Sequence, residues 1–361
     1  MSTRIGIVGM PNAGKSSLFN ALTKAGVEAA NYPFTTIEPN VAVVPVVDRR
    51  MEQVAETVGA SELVWDTIDF HDIAGLVAGA HQGEGLGNRF LANIRETHAL
   101  VHVVRAHGDD GVIHPEGSVD PVRDIDTIET ELIMADLEQA ERRLERVTRT
   151  ARGGDRVAVA EEAWLGEAIA ALQAGKPVRT VPVPADAPNA VRDLGSLTAK
   201  PVLYVANVDE GSEEVPAAIA AHARAQGAGA VAVSSRIEAE LAELDEADAT
   251  AMRAELGVSE SSLERIIHGA FSLLQLIAFF TAGEAKPAQS WHLRQGLSAW
   301  HAAGEIHTDI QKGFVRAEVI GWQDLVDAGG YAGGRERGTL RLEGRDYVMT
   351  DGDVITVKFT P

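Results

Sequence analysis

Hydrophobic residues in the first 280 positions form short runs separated by longer amphipathic stretches. The run at Arg4–Gly9 is followed by a glycine-rich turn and then by apolar positions at helical spacing from Ser16 to Lys24. This order predicts a strand, a loop and a helix. Further strands are predicted at 41–47, 65–72, 100–105, 201–206 and 230–233. Because runs that are apolar on both faces and alternate with helices are typical of parallel sheets, we expect a mainly parallel α/β sheet with functional groups at the carboxyl ends of its strands.

The segment 126–198 has a different pattern. Its apolar residues recur at steps of four and three: Ile133, Leu137, Ala140, Leu144 and Val147. Charged residues fill the positions between them, as in a coiled-coil helix. Gly153-Gly154 interrupts this pattern, and a second apolar seam at 165–172 ends before Gly175-Lys176-Pro177. We expect an antiparallel helical hairpin inserted into the α/β domain; the alternative is that both helices belong to the layers covering the sheet.

After residue 279 short β-like stretches alternate with glycine-rich turns, which predicts a small α+β domain. We therefore divide the chain into an α/β domain at 1–125 and 199–278, an inserted helical domain at 126–198 and a terminal domain at 279–361.

Charge and composition narrow the classes of function. The 361 residues include 53 acidic and 32 basic ones, which gives a formal net charge of −21. So acidic a chain should be repelled by bare nucleic acid unless its basic residues are clustered, and we expect no sequence-specific DNA binding. Contact with a ribonucleoprotein through a less acidic module stays open. The absence of cysteine excludes thiol catalysis, thiolate metal sites and disulfides. No run reaches the roughly 18 apolar residues of a membrane span, and Ser2-Thr3-Arg4 is unlike the start of a signal peptide, so we expect a cytoplasmic protein that does not enter membranes.

Gly9-Met10-Pro11-Asn12-Ala13-Gly14-Lys15-Ser16 fits the phosphate-loop pattern G-x-x-x-x-G-K-[ST] between a predicted strand and a predicted helix. The N–H groups at the start of such a helix converge on phosphate oxygens, while the lysine reaches the β- and γ-phosphates. We expect Asn12, Ala13, Gly14, Lys15, Ser16 and Ser17 to bind a nucleotide. The hydroxyl of Ser16 would in addition be a ligand of Mg²⁺.

A carboxylate at the end of a neighbouring strand completes such a metal site. Asp72 is the candidate, and Gly75 follows it with an N–H that can approach the γ-phosphate. Thr35 and Thr36 lie between the phosphate loop and Asp72, where a threonine can join the metal ligands.

The base should be read at the end of the strand 201–206. Guanine-specific proteins carry Asn-Lys-x-Asp at this place, whereas this chain has Asn207-Val208-Asp209-Glu210. We expect Asn207, Val208 and Glu210 to line the base site. The extra methylene of Glu210 moves its carboxylate away from the position that guanine requires, and this argues against guanine specificity. Ser234 and Ser235 follow the next strand and are candidates for a last contact to the base.

Together these motifs resemble those of the Obg-related P-loop proteins, and most closely the YchF group of Obg-like ATPases. The likeness includes the phosphate loop, Asn31–Asn40, Asp72–Val77, Gly83–Asn88, and Asn207 with Glu210. The end of the chain resembles the TGS domain of that group through Ile306–Asp309, Gly313-Phe314, Arg316–Val319 and Gly352–Val354. The resemblance implies a P-loop NTPase domain with an inserted coiled-coil hairpin and a β-grasp-like TGS domain.

The resemblance also implies an activity, which is slow Mg²⁺-dependent hydrolysis of ATP by a protein that associates with ribosomes in translation or stress responses. Thr36 matches the metal-binding threonine of the group better than Thr35 does. Leu76 stands where Ras-like enzymes have a glutamine that orients water, so another side chain must do this, and His114 matches the catalytic histidine proposed for the group. The alternative for His114 is an exposed loop histidine.

Three questions stay open at this point. Asn12 matches an asparagine that helps some related proteins to hold K⁺ against the phosphates, but it could equally be a turn residue. The protein could be an enzyme in the ordinary sense or a switch that hydrolysis resets, and we favour a slow ATPase that works as a switch, acting as a monomer. An Obg-type GTPase is the other candidate, if Asp209 instead of Glu210 faces the base.

Overall fold

The structure is a computed structural model of the 361-residue chain. It describes residues 3–29, 40–73, 86–108, 114–115, 117–210, 212, 214–241, 243–244, 248–249, 251–252 and 261–360. The chain forms two compact units, one made of 1–2, 44–68 and 274–361 and the other of 3–43 and 69–273. Within the described ranges, no helix is both long enough and apolar enough to cross a bilayer.

In chain order the strands are β1 (Thr3–Val8), β2 (Val41–Pro45), β3 (Leu63–Val64), β4 (Thr67–Asp72), β5 (Ala99–Arg105), β6 (Val202–Asn207), β7 (Gly229–Val233), β8 (Leu276–Thr281), β9 (Ala288–Arg294), β10 (Phe314–Gly321), β11 (Arg341–Glu343) and β12 (Asp353–Phe359). The α-helices are α1 (Lys15–Ala29), α2 (Arg49–Val58), α3 (Leu86–Arg95), α4 (Pro121–Ala151), α5 (Arg156–Gln173), α6 (Ala190–Leu194), α7 (Ala217–Ala225), α8 (Ser235–Leu241), α9 (Ser262–Leu273), α10 (Ala299–Ile306), α11 (Thr308–Lys312), α12 (Trp322–Asp327) and α13 (Tyr331–Arg337). A 3-10 turn covers Val178–Thr180.

The larger unit is built on the parallel sheet that the hydrophobic runs predict. Its strand order is β2-β4-β1-β5-β6-β7, and β1 with β5, β5 with β6, and β6 with β7 pair in parallel. Every residue of β5 and β6 is buried, because helices cover both faces of these central strands. The carboxyl ends of β1, β5 and β6 therefore lie along one edge of the sheet, and the predicted fold class is confirmed.

The two long helices form the predicted hairpin, but α4 has two roles. Its first turns bury Ile125, Ile128 and Leu132 in the core of the sheet. Its second half packs along α5 in a separate core that includes Ala140 and Leu165. Since a short turn joins the two helices, they run antiparallel. Both alternatives raised by the sequence thus hold for different parts of α4, which begins five residues before the predicted boundary, at an Asp120 N-cap followed by proline.

One buried carboxylate connects α4 to the chain segment that returns to the sheet. Asp136 is fully buried and accepts hydrogen bonds from the hydroxyls of Ser196 and Thr198, each at 2.6 Å. It also accepts from the backbone N–H groups of Leu197 and Thr198, both at 2.8 Å. These four bonds fix the chain just before β6, the strand that carries Asn207 at its end.

The smaller unit contains a mixed sheet in the order β11-β10-β12-β8-β9-β3. Here β8 and β9 form an antiparallel hairpin, β12 runs parallel to β8, and α10 packs against the sheet through Ala299 and Ala302. The segment 44–68, which the sequence analysis groups with the α/β domain, clusters with this unit. It contributes β3, in which Leu63 pairs with Ala288 of β9.

We predict that Asp136→Asn lowers the free energy of unfolding by about 2–4 kcal/mol, because an amide replaces one of two acceptor oxygens and leaves buried donors unpaired. Urea unfolding of the whole protein, followed by circular dichroism, measures the change. Glu138→Gln is the matched control, since Glu138 is exposed on the same helix and its ion pair, with Arg142 at 3.5 Å, is also on the surface. We expect a change within about 0.5 kcal/mol for this control. Equal midpoints for the two variants would contradict the role of Asp136.

Candidate functional site

The loop between β1 and α1 needs glycine at two positions because other chain segments approach it closely. A Cβ atom on Gly9 would lie 2.4 Å from the carbonyl oxygen of Val103. One on Gly14 would lie 2.3 Å from the side-chain nitrogen of Asn207, and Gly14 also has a φ of +100°. The loop is therefore pressed against the ends of β5 and β6, which shapes the phosphate cradle predicted from the sequence.

Lys15 is already directed into this loop. Its side chain is buried, and Nζ donates to the carbonyl oxygens of Gly9 at 3.0 Å and Met10 at 2.8 Å. Burial lowers the pKa of Lys15, while the charge of Asp72 opposes that shift. Burial likewise raises the pKa of Asp72, and Lys15 counteracts it. The ammonium group of Lys15 and the carboxylate of Asp72, at the end of β4, thus attract each other. A site for a phosphate and its metal ion needs such groups close together.

Asn207 joins three parts of the site through its side-chain amide. The nitrogen donates to the carbonyl oxygen of Ala13 at 3.0 Å, and the oxygen accepts from the N–H of Ser235 at 3.0 Å. Asn207 is itself buried at the end of β6. The sequence predicts that Asn207 lines the base site, whereas in this structure both polar atoms of its side chain are hydrogen-bonded to the protein.

A cavity of about 1000 Å³ lies along the carboxyl edge of the sheet, next to the phosphate loop. This volume is sufficient for a nucleotide. Ten of the residues predicted from the sequence line it: Asn12, Gly14, Lys15, Ser16, Ser17, Asn207, Val208, Glu210, Ser234 and Ser235. Ala13 and Asp72 are not among the lining residues, although Ala13 accepts the bond from Asn207. Thr36 and Gly75 lie outside the described residues, as do Thr35 and Leu76.

The far end of the cavity carries charged and hydroxyl groups. Glu210 is half exposed, and one carboxylate oxygen lies 3.0 Å from Nε of Arg236. Asp209 lines the same cavity. The side chain of Val208 is buried in the core of the sheet, so only its main chain is available to a ligand. The hydroxyl of Ser235 is buried and lacks a hydrogen-bond partner among the residues that the structure describes, which makes it a candidate ligand-binding group.

His114 lies in a different environment from the cavity. It is only 8% exposed, so the alternative of an exposed loop histidine is wrong. Its Nε2 lies 2.8 Å from the carboxylate of Asp124, which is buried in the first turn of α4. His114 is not among the residues that line the cavity.

Four residues that line the cavity were not predicted from the sequence as site residues: His107, Gly108, Arg236 and Ala239. A signal existed for the first two, because they directly follow β5 and parallel strands present their carboxyl ends at the same edge. Arg236 and Ala239 follow Ser235 on α8, where the sequence offers only an ordinary amphipathic helix. Asp124 also gave no signal, since an acidic residue in the first turn of a helix is common.

Two family models match the chain. One is described as a 50S ribosome-binding GTPase and matches residues 4–143. The other, for the C-terminal domain of YchF GTPases, carries the description of a protein of unknown function (DUF933) and matches residues 276–360.

Comparisons with whole proteins cover nearly the full chain. It is 47% identical to the ribosome-binding ATPase YchF of Haemophilus influenzae, with 99% of each chain covered. It is 46% identical to the protein of that name from Bacillus subtilis, with 99% of this chain and 100% of that one covered. The solved structure of the Schizosaccharomyces pombe YchF GTPase is 36% identical and superposes with a TM-score of 0.87, covering 99% of this chain and 98% of that one. A GTP-binding protein from Pyrococcus horikoshii is 21% identical and shares the fold with a TM-score of 0.65, covering 99% of this chain and 100% of that one.

We predict that Asn207→Asp weakens binding of a fluorescent nucleotide analogue by about tenfold or more, or 1.4 kcal/mol. The variant is isosteric, but it cannot donate to the carbonyl oxygen of Ala13, so the phosphate loop loses its bond to β6. Equilibrium titration of the purified protein measures the affinity. Asn189→Asp introduces the same charge at an exposed helix cap that makes no side-chain capping bond, and it should bind like the wild type. Unchanged affinity in Asn207→Asp would show that the bond does not organise the site.

Proposed function

Because the chain belongs to the YchF family, we propose that it is a Mg²⁺-dependent ATPase that slowly hydrolyses ATP to ADP and phosphate and acts as a ribosome-associated regulatory switch. The observation that carries this proposal is that one cavity at the sheet edge combines the two sides of a nucleotide site. One side of it is the phosphate loop with the buried Lys15, and the other is a base-facing loop that ends in Glu210. The relatives named as ribosome-binding ATPases support it at 46–47% identity over the full chain.

On the phosphate side, Lys15 and the N–H groups of residues 12–17 would bind the β- and γ-phosphates. Nζ of Lys15 would exchange its two carbonyl partners for phosphate oxygens, which are stronger acceptors because they are charged. Asn12 has a φ of +61°, which asparagine tolerates better than most residues, and it lines the cavity where K⁺ could be held.

The donor set fits a hard cation. Ser16 offers a hydroxyl at the cavity, and Asp72 offers a half-buried carboxylate beside Lys15. With Thr36 they would hold Mg²⁺ through oxygen atoms, the ligands that this ion prefers. The ion would neutralise charge on the transferred phosphoryl group. Lys15, in contact with the same phosphates, would do the same from the protein side.

Hydrolysis requires a water aligned with the γ-phosphate, and Leu76 cannot orient one. We propose His114 for this role, with the imidazole positioning the water or accepting its proton. Nε2 of His114 lies 2.8 Å from the carboxylate of Asp124 and His114 does not line the cavity, so it would have to move to reach the phosphate. The need for this movement agrees with the slow turnover proposed here.

The base side favours ATP over GTP. Glu210 takes the place of the aspartate that reads guanine, and Arg236 lies against its carboxylate. The second candidate function is that of a GTPase. Two observations favour it: Asp209 lines the same cavity, and the related Schizosaccharomyces pombe structure is named a GTPase.

The helical hairpin and the C-terminal unit are more than hydrolysis needs, and we propose that they serve ribosome docking by a cytoplasmic monomer. The mixed sheet and packed helix of the C-terminal unit support the assignment of a TGS domain to this part of the chain.

We predict that unlabelled ATP displaces a fluorescent nucleotide from the wild-type protein at a concentration at least tenfold below that of GTP, about 1.4 kcal/mol. Competition titrations in Mg²⁺ measure both nucleotides. Asp209→Asn should keep this preference, because the ATPase proposal gives Asp209 no role in reading the base. If GTP wins, and Asp209→Asn abolishes the advantage, the GTPase function replaces the ATPase.

We predict that His114→Ala keeps the affinity for ATP but lowers turnover by about 100-fold or more, as expected for a lost acid–base group. Phosphate release under saturating ATP and equilibrium binding separate the two quantities. His307→Gln, which removes an exposed imidazole from the C-terminal unit, is the control and should leave both unchanged. Wild-type turnover in His114→Ala would remove His114 from the mechanism.

A further inference from the structure

Three potential metal ligands meet where α4 faces α7, away from the nucleotide cavity. Asp126 and Glu129 are three residues apart on α4, so they project from the same face of the helix. His222 lies opposite them on α7. One ligand atom from each of the three side chains lies within 4.8 Å of the others. We refer to Asp126, Glu129 and His222 as the α4–α7 cluster.

Glu129 is held in a defined orientation. One carboxylate oxygen accepts a hydrogen bond from the hydroxyl of Tyr204, whose ring is fully buried on β6. Arg179 lies on the same side, with Nη2 3.9 Å from that oxygen. The other carboxylate oxygen lies 3.3 Å from Nε2 of His222. Hydrogen bonds from a second layer of residues orient ligands in this way in known metal sites.

His222 is also oriented, but its Nε2 is not satisfied. The edge of its ring packs on Tyr204, with centroids 5.4 Å apart and planes at 89°. Nε2 is buried, and it has no hydrogen-bond partner in the part of the chain that the structure describes, in spite of the nearby carboxylate. A buried ring nitrogen without a partner is costly, and a metal ion is one partner that would use its lone pair.

We propose that the α4–α7 cluster binds one divalent transition-metal ion of the Zn²⁺ type. One imidazole nitrogen and two carboxylate oxygens form a donor set that suits zinc and similar ions better than Mg²⁺ or Ca²⁺. Asp126 is exposed, so it can rotate to close the site and gives the ion a route from solvent. Water would complete a four-coordinate site.

The site would join the sheet layer to the base of the hairpin. The cluster lies on the first turns of α4, just before the part of this helix that packs on α5. None of its members lines the nucleotide cavity, so the site does not depend on the proposed ATPase function.

The test is a titration of the nucleotide-free full-length protein with Zn²⁺ in competition with a chromophoric zinc chelator. We expect one tight site in the wild type, and a loss of affinity of about tenfold or more in Asp126→Asn, Glu129→Gln and His222→Gln. Because the chain has no cysteine, thiolates cannot contribute to the signal. Substitution with Co²⁺ adds a second readout, since its visible absorption should change when His222 is replaced.

Two controls make the result specific. His307→Gln removes an exposed imidazole that lies 3.6 Å from a single carboxylate, that of Asp309, and should leave the tight site intact. Ser16→Ala removes a ligand of the proposed Mg²⁺ site and should also leave zinc binding unchanged. A failure of the zinc proposal can therefore be distinguished from a failure of the ATPase proposal.

Tyr204→Phe provides a variant that keeps the ligands and the buried ring. It removes only the hydroxyl that orients Glu129, and we expect zinc affinity to fall by about 10- to 100-fold. The proposal is overturned if the wild type shows no tight site, or if zinc binds equally well to folded His222→Gln and wild-type protein.

Discussion

The side-chain amide of Asn207 is the contact on which the geometry of the nucleotide site depends most directly. It stands at the end of a fully buried strand and binds the phosphate loop through Ala13 and the start of α8 through Ser235. The approach of this amide to Gly14 leaves no room for a side chain there. The two bonds contribute a modest net free energy, but the cost of leaving a buried donor and a buried acceptor unpaired is larger. The two bonds therefore fix the phosphate side and the base side of the cavity relative to each other.

The two hydrogen bonds of the Asn207 amide limit which other groups can contact the base. With both polar atoms of Asn207 bound to protein, the lining groups proposed for the base include the main chain of Val208, the carboxylates of Asp209 and Glu210, and the hydroxyl of Ser235, which has no hydrogen-bond partner among the described residues. A loop with these groups can distinguish bases by the positions of its hydrogen-bond acceptors. In the proposed site, the position of Glu210 beside Arg236 would contribute to specificity, because the arginine would compete with a base for the carboxylate.

Most of the sheet and the phosphate loop could be predicted from the sequence. Their signals, apolar runs and the spacing of glycines, each lie within a few consecutive residues. The contact of His114 with Asp124 could not be predicted, since it depends on how the loop returns to α4. The clustering of 44–68 with the smaller unit could not be predicted for a related reason. It depends on the pairing of β3 with β9, and a strand of two residues shows no hydrophobic periodicity in the sequence. The start of α4 did carry a signal, an Asp120-Pro121 cap, but the coiled-coil pattern that defined the helix begins only later.

The interleaved composition of the smaller unit has a consequence for synthesis on the ribosome. Its residues 44–68 emerge first, whereas their partners in 274–361 emerge only after the whole of 69–273. Met51 and Val54 on α2, which are fully buried in the finished protein, lack β9 and α12 to pack against during that interval. Contacts so distant in sequence form slowly, and exposed apolar surface invites misassembly while they are missing. The smaller unit can be completed only after 274–361 have been synthesised, so α2 stays without these partners while 69–273 is being made.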